Sequence, residues 1–341
     1  MSKPHPGVDG ASERLGSLLE SPIMTQILEL VNLTKDFTAK NGTKISAVRG
    51  VSLKQAKGET IGVVGESGCG KSTLGRMILQ LIRPSSGQVI FQNQDLMSLD
   101  KSELRQARRQ MQMIFQDPYA ALDPRMSVGK LVEEPLLIFG QGSRQERQKK
   151  VAQLLEVCGL SSDLASSYSG ALSGGQRQRI CIARALALSP KLVVADEPVS
   201  ALDVSVQAQV INLMMQLKRD HDLSYIFISH NLAVVKYVSD RIAVMYLGRI
   251  VEIGSPDDIC TDPAHPYTRL LLDAIPVPDP ERTRPLDQAP FDPLETKPSS
   301  NGCSYVNRCS FATAKCKQEA PKLVSVGPPT KSHWVECHLY Q

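Results

Sequence analysis

Apolar positions first gather at residue 26. Ile27–Leu33 and Ile45–Leu53 read as strands joined by a Lys40-Asn41-Gly42-Thr43 turn. Ile61–Val64 is a short apolar run that feeds a glycine-rich stretch, and Thr73–Ile82 has helical spacing that stops before Pro84. From about 100 to 190 the pattern is helical, clearest in Lys101–Gln110 and Arg144–Val157. Leu192–Ala195 and Tyr225–Ser229 are continuous apolar runs of the kind found in buried parallel strands. Val204–Arg219 lies between them as a crossover helix. Ile242–Tyr246 and Arg249–Ile253, separated by Leu247-Gly248, form a closing hairpin. Strands alternating with helices predict an α/β fold with a mainly parallel sheet.

Both ends of the chain depart from this pattern. Residues 1–25 are polar and carry Pro4, Pro6, Gly7 and Gly10, which predicts a flexible leader. After Ile275, Pro276, Pro278, Pro280, Pro285, Pro290 and Pro293 predict a stiff connector to a cysteine-rich tail. The domains expected are therefore the leader 1–25, a main domain 26–275 with a helical part at about 100–190, and an extension 276–341.

Composition narrows the classes. No run approaches 18 consecutive apolar residues, and the N-terminus lacks the layout of a signal peptide. The expectation is a cytoplasmic protein whose membrane work, if any, is done by other subunits. A net charge of +4 over 341 residues gives no reason to expect a nucleic-acid partner, which would call for a heavily basic face or helix. The basic clusters Arg105–Arg109 and Arg144–Lys150 read as solvated helix faces.

The chemistry sits in three motifs. Gly65, Glu66, Ser67, Gly68, Cys69, Gly70, Lys71 and Ser72 fit G-x-x-x-x-G-K-[ST] between a strand and a helix. Glycines let successive N–H groups turn toward phosphates, and the helix start adds positive potential. Lys71 is expected on the β- and γ-phosphates and Ser72 on Mg²⁺, with Thr73 next in the loop. A chance glycine-rich turn is the bland alternative, and the strand–loop–helix context argues against it. Leu192–Ala195 then ends in Asp196, Glu197 and Pro198. Asp196 suits Mg²⁺, and Glu197 suits the general base that polarises attacking water. Alone the pair would be a turn and helix cap. The third motif is Leu172, Ser173, Gly174, Gly175 and Gln176 before another helix. Ser173 and Gln176 have capping-box spacing. The same bare N–H groups and hydroxyl also form an anion site. Lying in the helical stretch, it is expected to act in trans, on the γ-phosphate of a partner subunit.

With these three motifs in order, the sequence resembles the ATP-binding-cassette (ABC) ATPases. The resemblance implies a P-loop NTPase fold: a RecA-like core, an antiparallel β subdomain and a helical insert. It makes Gln116 the Q-loop glutamine that contacts Mg²⁺, Ser200–Asp203 the D-loop with Asp203 acting in trans, and His230 the switch histidine near the γ-phosphate. Phe37 falls where the family stacks an aromatic on adenine, and Val48 joins it among the ATP-binding positions. The bland reading of Phe37 is core packing, and of His230 a structural strand-end histidine. Phe115–Tyr119, Asp123–Arg125, Asp203–Ala208, His265–Thr268 and Ile275–Pro278 resemble the oligopeptide/dipeptide/nickel importer branch, over about residues 26 to 341. Ser169-Gly170-Ala171 departs from that branch's usual Pro-His-Glu, which puts the local loop geometry in question.

The resemblance implies an ATPase energising import of di- or oligopeptides, with nickel complexes, glutathione or opines as alternative cargo. Its partners would be a second ATPase subunit, the leading expectation being a heterodimer, two membrane permease subunits and an extracytoplasmic binding protein. It would sit peripherally on the cytoplasmic face of the membrane. Two rivals from other classes are a soluble ABC ATPase working on DNA or ribosomes and a metal or redox sensor. The first lacks its coiled-coil insert or second cassette here. The second would be told apart by measuring ATPase activity with and without the tail's metal.

The tail supplies the last expectation. Cys303, Cys309, Cys316 and Cys337 follow C-x₅-C-x₆-C-x₂₀-C, which lacks the paired spacing of zinc ribbons and differs from ferredoxin runs. Four thiolates suit Zn²⁺ or iron–sulfur alike. A short proline-rich tail offers little core for four unrelated free thiols. Resemblance to the importer branch favours a [4Fe–4S] cluster.

Overall fold

A computed structural model describes residues 26–39, 42–274, 301–328 and 332–341. The expected leader, the tip of the 40–43 turn, and the connector with Ile275–Pro278 lie outside the described residues.

Strands β1 (Gln26–Thr38) and β2 (Lys44–Ala56) pair antiparallel, with Leu30 opposite Leu53 and Lys35 opposite Val48. Both run longer than the apolar stretches suggest. β3 (Thr60–Val64) follows, then helix α1 (Lys71–Ile78). This helix begins two residues before the expected Thr73 and ends well before Ile82, because Gln80 turns to a φ of 55°. β4 (Ser86–Phe91) and β5 (Gln94–Asp95), which the sequence pattern did not reveal, complete a four-stranded antiparallel sheet in the order β2-β1-β4-β5.

The stretch read as helical holds α2 (Lys101–Arg109), α3 (Pro118–Ala121), α4 (Val128–Ile138), α5 (Arg144–Val157) and α6 (Gly174–Leu186). It also holds a strand, β6 (Met111–Ile114), which joins the edge of the main sheet. The chain then alternates through β7 (Leu192–Asp196), α7 (Val204–His221), β8 (Ser224–Ile228), α8 (Leu232–Val238), β9 (Arg241–Tyr246) and β10 (Arg249–Gly254). Helices α9 (Pro256–Thr261) and α10 (Pro266–Asp273) follow. The tail contributes α11 (Ala314–Gln318), β11 (Leu323–Ser325) and β12 (Trp334–Glu336).

The main sheet has the order β11-β12-β10-β9-β3-β8-β7-β6. β6, β7, β8, β3 and β9 are parallel, and β10, β12 and β11 add on antiparallel. Period-2 alternation sends neighbouring residues to opposite faces. Leu192 and Val194 enter the core shared with the antiparallel sheet, together with Ile226, Ile228, Val63 and Leu74. Val193 and Ala195 enter the core shared with α4, α5, α6 and α7. The parallel strands are thus covered on both faces, which explains their uninterrupted apolar runs.

The tail is better packed than a proline-rich segment suggests. β12 pairs with β10, with Glu252 opposite Val335 and Ile253 opposite Trp334, so the tail extends the main sheet. Val335, Tyr305 and Val306 are buried. Among the described residues, no helix is long and apolar enough to cross a membrane.

Candidate functional site

β3 ends at Val64, the loop 65–70 turns, and α1 starts at Lys71. Gly70 caps the helix at a φ of 108°, and a Cβ there would stand 2.2 Å from the Ala47 carbonyl oxygen of β2. Glycine is therefore required by both conformation and space. The Gly248 N–H, in the β9–β10 turn, donates to the Cys69 carbonyl at 2.9 Å and fixes the loop's underside. Lys71 is buried and its Nζ donates to the carbonyls of Gly65 (2.8 Å) and Glu66 (2.9 Å). Cys69 is buried beside it. Burial pushes that thiol's pKa up, with Lys71 opposing.

Asp196 and Glu197 stand where β7 ends. Asp196 is buried and its Oδ1 accepts from the Ser72 hydroxyl at 2.8 Å. Burial raises the Asp196 pKa, and the Ser72 hydroxyl bond opposes the rise. Glu197 has a φ of 47°, an uncommon conformation for a side chain of its length. Its N–H donates to the Ile228 carbonyl at 2.9 Å, tying the ends of β7 and β8 together. Its Oε2 accepts from Gln116 Nε2 at 3.1 Å and lies 3.1 Å from His230 Nδ1. Backbone strain held at a carboxylate between two polar side chains is the pattern of a functional site.

Lys71, Ser72, Gln116, Asp196, Glu197 and His230 thus meet at the carboxyl ends of β3, β6, β7 and β8, where open α/β sheets bind ligands. Phe37 lies on β1 with the Lys35 ammonium 5.2 Å from its ring centre, and 40% of it is exposed, so the core-packing alternative does not describe it. Val48, on β2 beside Ala47, is fully buried. Ser67, Gly68 and Thr73 lie in the loop and first turn of α1.

Ser173 caps α6 with a complete capping box. Its N–H donates to Gln176 Oε1 at 3.0 Å, and the Gln176 N–H donates to its hydroxyl at 3.3 Å. The structural reading of this motif is therefore realised, and the exposed Ser173 hydroxyl is left at a free helix start. A Cβ on Gly175 would meet Val206 Cγ1 at 2.5 Å, and one on Gly174 would meet Leu202 at 3.3 Å. The motif thus packs on the start of α7, beside Asp203, which caps that helix through the Val206 N–H at 2.9 Å. That bond holds the Asp203 carboxyl below the usual range. Behind the loop questioned at Ser169–Ala171, Arg177 donates to the carbonyls of Ser169 (2.7 Å) and Gly170 (3.2 Å) and lies 4.0 Å over the Tyr119 ring.

The structure describes all four tail cysteines. Cys303, Cys316 and Cys337 are buried, Cys309 is partly exposed, and the Cys303 N–H donates to the Cys316 carbonyl at 2.8 Å. Among the described residues, however, no three His, Cys, Asp or Glu side chains form a group that could hold a metal ion. The expected Zn²⁺ or [4Fe–4S] ligand set at Cys303, Cys309, Cys316 and Cys337 is not supported. Burial pushes Cys303 up to about 11 and raises Cys309 and Cys337, and charge on Cys316 would raise all three further.

Two partners of the loop escaped the sequence reading. The Tyr267 hydroxyl accepts from the Glu66 N–H at 2.9 Å. Arg308 holds the Glu66 carboxylate through both terminal nitrogens, at 3.0 and 3.2 Å. His265–Thr268 stood out as a family marker without a role, and it is the motif that carries Tyr267. Arg308 had no signal, since it lies 242 residues from Glu66 in a segment read only for its cysteines.

Comparison with known proteins agrees with this geometry. The family described as ABC transporter matches residues 48–200, and the oligopeptide/dipeptide transporter C-terminal region matches residues 251–316. A Sinorhizobium fredii protein described as a probable peptide ABC transporter ATP-binding protein is 48% identical, covering 92% of this chain and 90% of its own. An oligopeptide transport ATP-binding protein of Bacillus subtilis is 44% identical, covering 92% and 97%. Among solved structures, an ATP-binding cassette captured as a dimer in a post-hydrolysis state with ADP and Pi has a TM-score of 0.62. It is 31% identical, covering 67% of this chain and 99% of that one.

Proposed function

This chain belongs to the ABC transporter family, in its peptide-transport ATP-binding branch, and from that premise we propose that it energises a di- and oligopeptide importer. It has the ABC ATPase cassette fold, a P-loop NTPase of α/β build, and it is an ATPase. The single observation that carries the site assignment is Glu197, which stands next to Asp196 with Gln116 and His230 both on its carboxylate.

In the proposed mechanism, Lys71, set in place by the Gly65 and Glu66 carbonyls, binds the β- and γ-phosphate oxygens of ATP. Phe37, exposed on β1, takes the adenine end, whereas Val48 is fully buried and supports the strand from within the core. Ser72, Asp196 and Gln116 would hold Mg²⁺. The hard oxygen donors of Ser72 and Asp196, already paired at 2.8 Å, suit that ion, which would supply charge neutralisation on the phosphates. Glu197 accepts a proton from water as its oxygen attacks the γ-phosphorus, and the bond to the β-phosphate bridging oxygen breaks to give ADP and phosphate. His230 orients Glu197 and the γ-phosphate. Ser173–Gln176 and Asp203 of one subunit close on the nucleotide of the other, so two cassettes share two ATP molecules. The free capping-box end of α6 supports this assignment.

The partners proposed are a second, related cassette, two membrane permease subunits and an extracytoplasmic binding protein. The cassette sits peripherally on the cytoplasmic face. The chain divides into a nucleotide-binding domain, 26–275, and an extension, 276–341. A [4Fe–4S] or zinc site in that extension rests on the sequence grouping of the four cysteines alone. Anaerobic purification with iron and zinc analysis tests it: about four irons per chain would support the cluster, and absence of both metals would dismiss the site. No step of the ATPase cycle runs through it.

Reconstitution tests the cargo. In vesicles holding the permease pair, binding protein loaded with di- or oligopeptides should stimulate ATP hydrolysis and peptide uptake. Stimulation by nickel complexes, glutathione or opines instead would keep the ATPase and replace the cargo.

A further inference from the structure

We propose that Arg308, from the C-terminal extension, is a positioning residue for the phosphate loop: it holds and neutralises Glu66 so that Lys71 is correctly placed for ATP. The proposal rests on the reading of residues 65–72 as the ATP phosphate site.

Glu66 is held from three sides. Its N–H donates to the Tyr267 hydroxyl at 2.9 Å, its carbonyl accepts from Lys71 Nζ at 2.9 Å, and its carboxylate takes both arms of the Arg308 guanidinium. A two-armed guanidinium–carboxylate pair fixes direction as well as distance. The order Arg308, Glu66, Lys71 therefore connects the tail to the phosphate-binding ammonium through one intervening residue.

Arg308 is itself fixed in place. Its guanidinium lies 5.8 Å from the Tyr305 ring centre and 5.9 Å from that of Tyr246. Tyr305 meets Tyr246 edge-on at 5.2 Å and lies 5.6 Å from Tyr267. Three tyrosines, from β9, α10 and the tail, thus form a platform beneath the loop. Arg308 and Glu66 are only 24% and 21% exposed, so solvent screens their pairing incompletely.

Charge gives a second reason. Glu66 places a carboxylate in a loop that must receive a polyphosphate. Paired with Arg308, that carboxylate presents no net charge to the ligand; unpaired, it repels it.

Docking of the tail does not depend on this pair. β12 hydrogen-bonds along β10, Arg249 pairs with Glu336 at 2.6 Å, and His333 meets the fully buried Glu252 at 2.8 Å. Removing Arg308 should leave the tail seated. The Cys303–Cys309 turn carries both Tyr305 and Arg308, so the cysteine-bearing segment is mechanically joined to the nucleotide site.

The test measures ATP KM, kcat and thermal stability in the full transporter complex. Arg308→Ala should raise the KM for ATP about 10-fold, with kcat within about twofold and Tm near wild type. Arg308→Lys, which keeps the charge and loses the fork, should fall between. Adding Glu66→Gln to Arg308→Ala should leave KM at or below that of the single variant, because the charge to be neutralised is gone. An unchanged KM in Arg308→Ala overturns the proposal. So does a fall in Tm with no change in KM, or a double variant whose losses multiply. If Arg308→Ala fails to assemble, Arg308→Lys carries the same comparison, and a wild-type KM there with lowered Tm counts against the proposal. Lys71→Ala separates the two levels. ATP binding that survives it refutes the phosphate-loop reading itself, whereas its loss beside an unaffected Arg308→Ala refutes only the role given to Arg308.

Discussion

Gly70→Ala puts the link between backbone conformation and nucleotide binding under direct strain. A φ of 108° lies beyond the left-handed region that side chains tolerate. Holding alanine there costs about 1–3 kcal/mol. The new Cβ would stand 2.2 Å from the Ala47 carbonyl oxygen and 2.9 Å from Met245 Cε. The methionine can move, but the carbonyl is backbone of β2 and cannot yield without shifting the strand. Overpacking of this kind adds about 1–3 kcal/mol. Together these take a sizeable part of a typical domain stability of about 5–15 kcal/mol. The chain should therefore still fold, but by reshaping the loop and the first turn of α1, which carry Lys71 and Ser72. The assay pairs chemical denaturation with fluorescent ATP binding. ATP affinity should fall at least about 100-fold, as expected when reacting groups are displaced by about an ångström. Gly140→Ala is the matched control, because Gly140 has a φ of 61° and open space around its Cα. It should cost about 1 kcal/mol and leave ATP binding intact. Wild-type affinity and stability in Gly70→Ala would refute the reasoning.

Three further outcomes follow from other parts of the molecule. A Ser173→Cys variant should crosslink to a cysteine in the partner's phosphate loop only with ATP present; crosslinks confined to one chain would contradict action in trans. Alkylation of Cys69 should inhibit hydrolysis, be prevented by MgATP, and speed up as pH rises, because burial holds its thiol pKa above the ordinary value; inhibition persisting in Cys69→Ser would assign it elsewhere. Glu252 is fully buried and accepts from the Ala264 N–H (2.7 Å), the His265 N–H (3.0 Å) and His333 Nε2 (2.8 Å). Glu252→Ala strands buried donors at about 1–3 kcal/mol each, so limited proteolysis should release the tail before the main domain, and simultaneous cleavage of both would contradict its role as the tail's anchor.

Much of this was legible from the chain because the relevant signals are local. The strand–loop–helix run through Gly65 to Ser72 and the apolar runs ending at Asp196 and Ile228 each contain their own explanation. The alternation that divides Val193 from Val194 also follows from the strand period. β6 was hidden because four residues between two helical patterns are too few to show a period. β4 was missed because its strandness comes from pairing with β1, a partner some 60 residues away in the chain, and β5 because it is a two-residue strand paired only with β4. α1 was placed late because its cap is a backbone conformation at Gly70 rather than a side-chain signal. At the site, Glu197 was legible as a carboxylate after a strand, but its positive φ and its bonds to Gln116 and His230 were not. The tail was the hardest segment to read. Its cysteines attract a metal reading, whereas Val335, Trp334 and Arg308 join it to the sheet and the phosphate loop, and those contacts span sequence distances that no local pattern encodes.

The central claim is that Glu197 is the carboxylate that activates water at a shared ATP site, and Glu197→Gln tests it most directly. The amide keeps the shape of the side chain and the bond network to Gln116 and His230, but it cannot accept the proton. Single-turnover hydrolysis with labelled ATP, read together with the molecular mass of the complex, should show ATP still bound, hydrolysis reduced by about 10²–10⁴, and a stable ATP-bound dimer. Turnover at the wild-type rate, with no trapped dimer, would contradict the account.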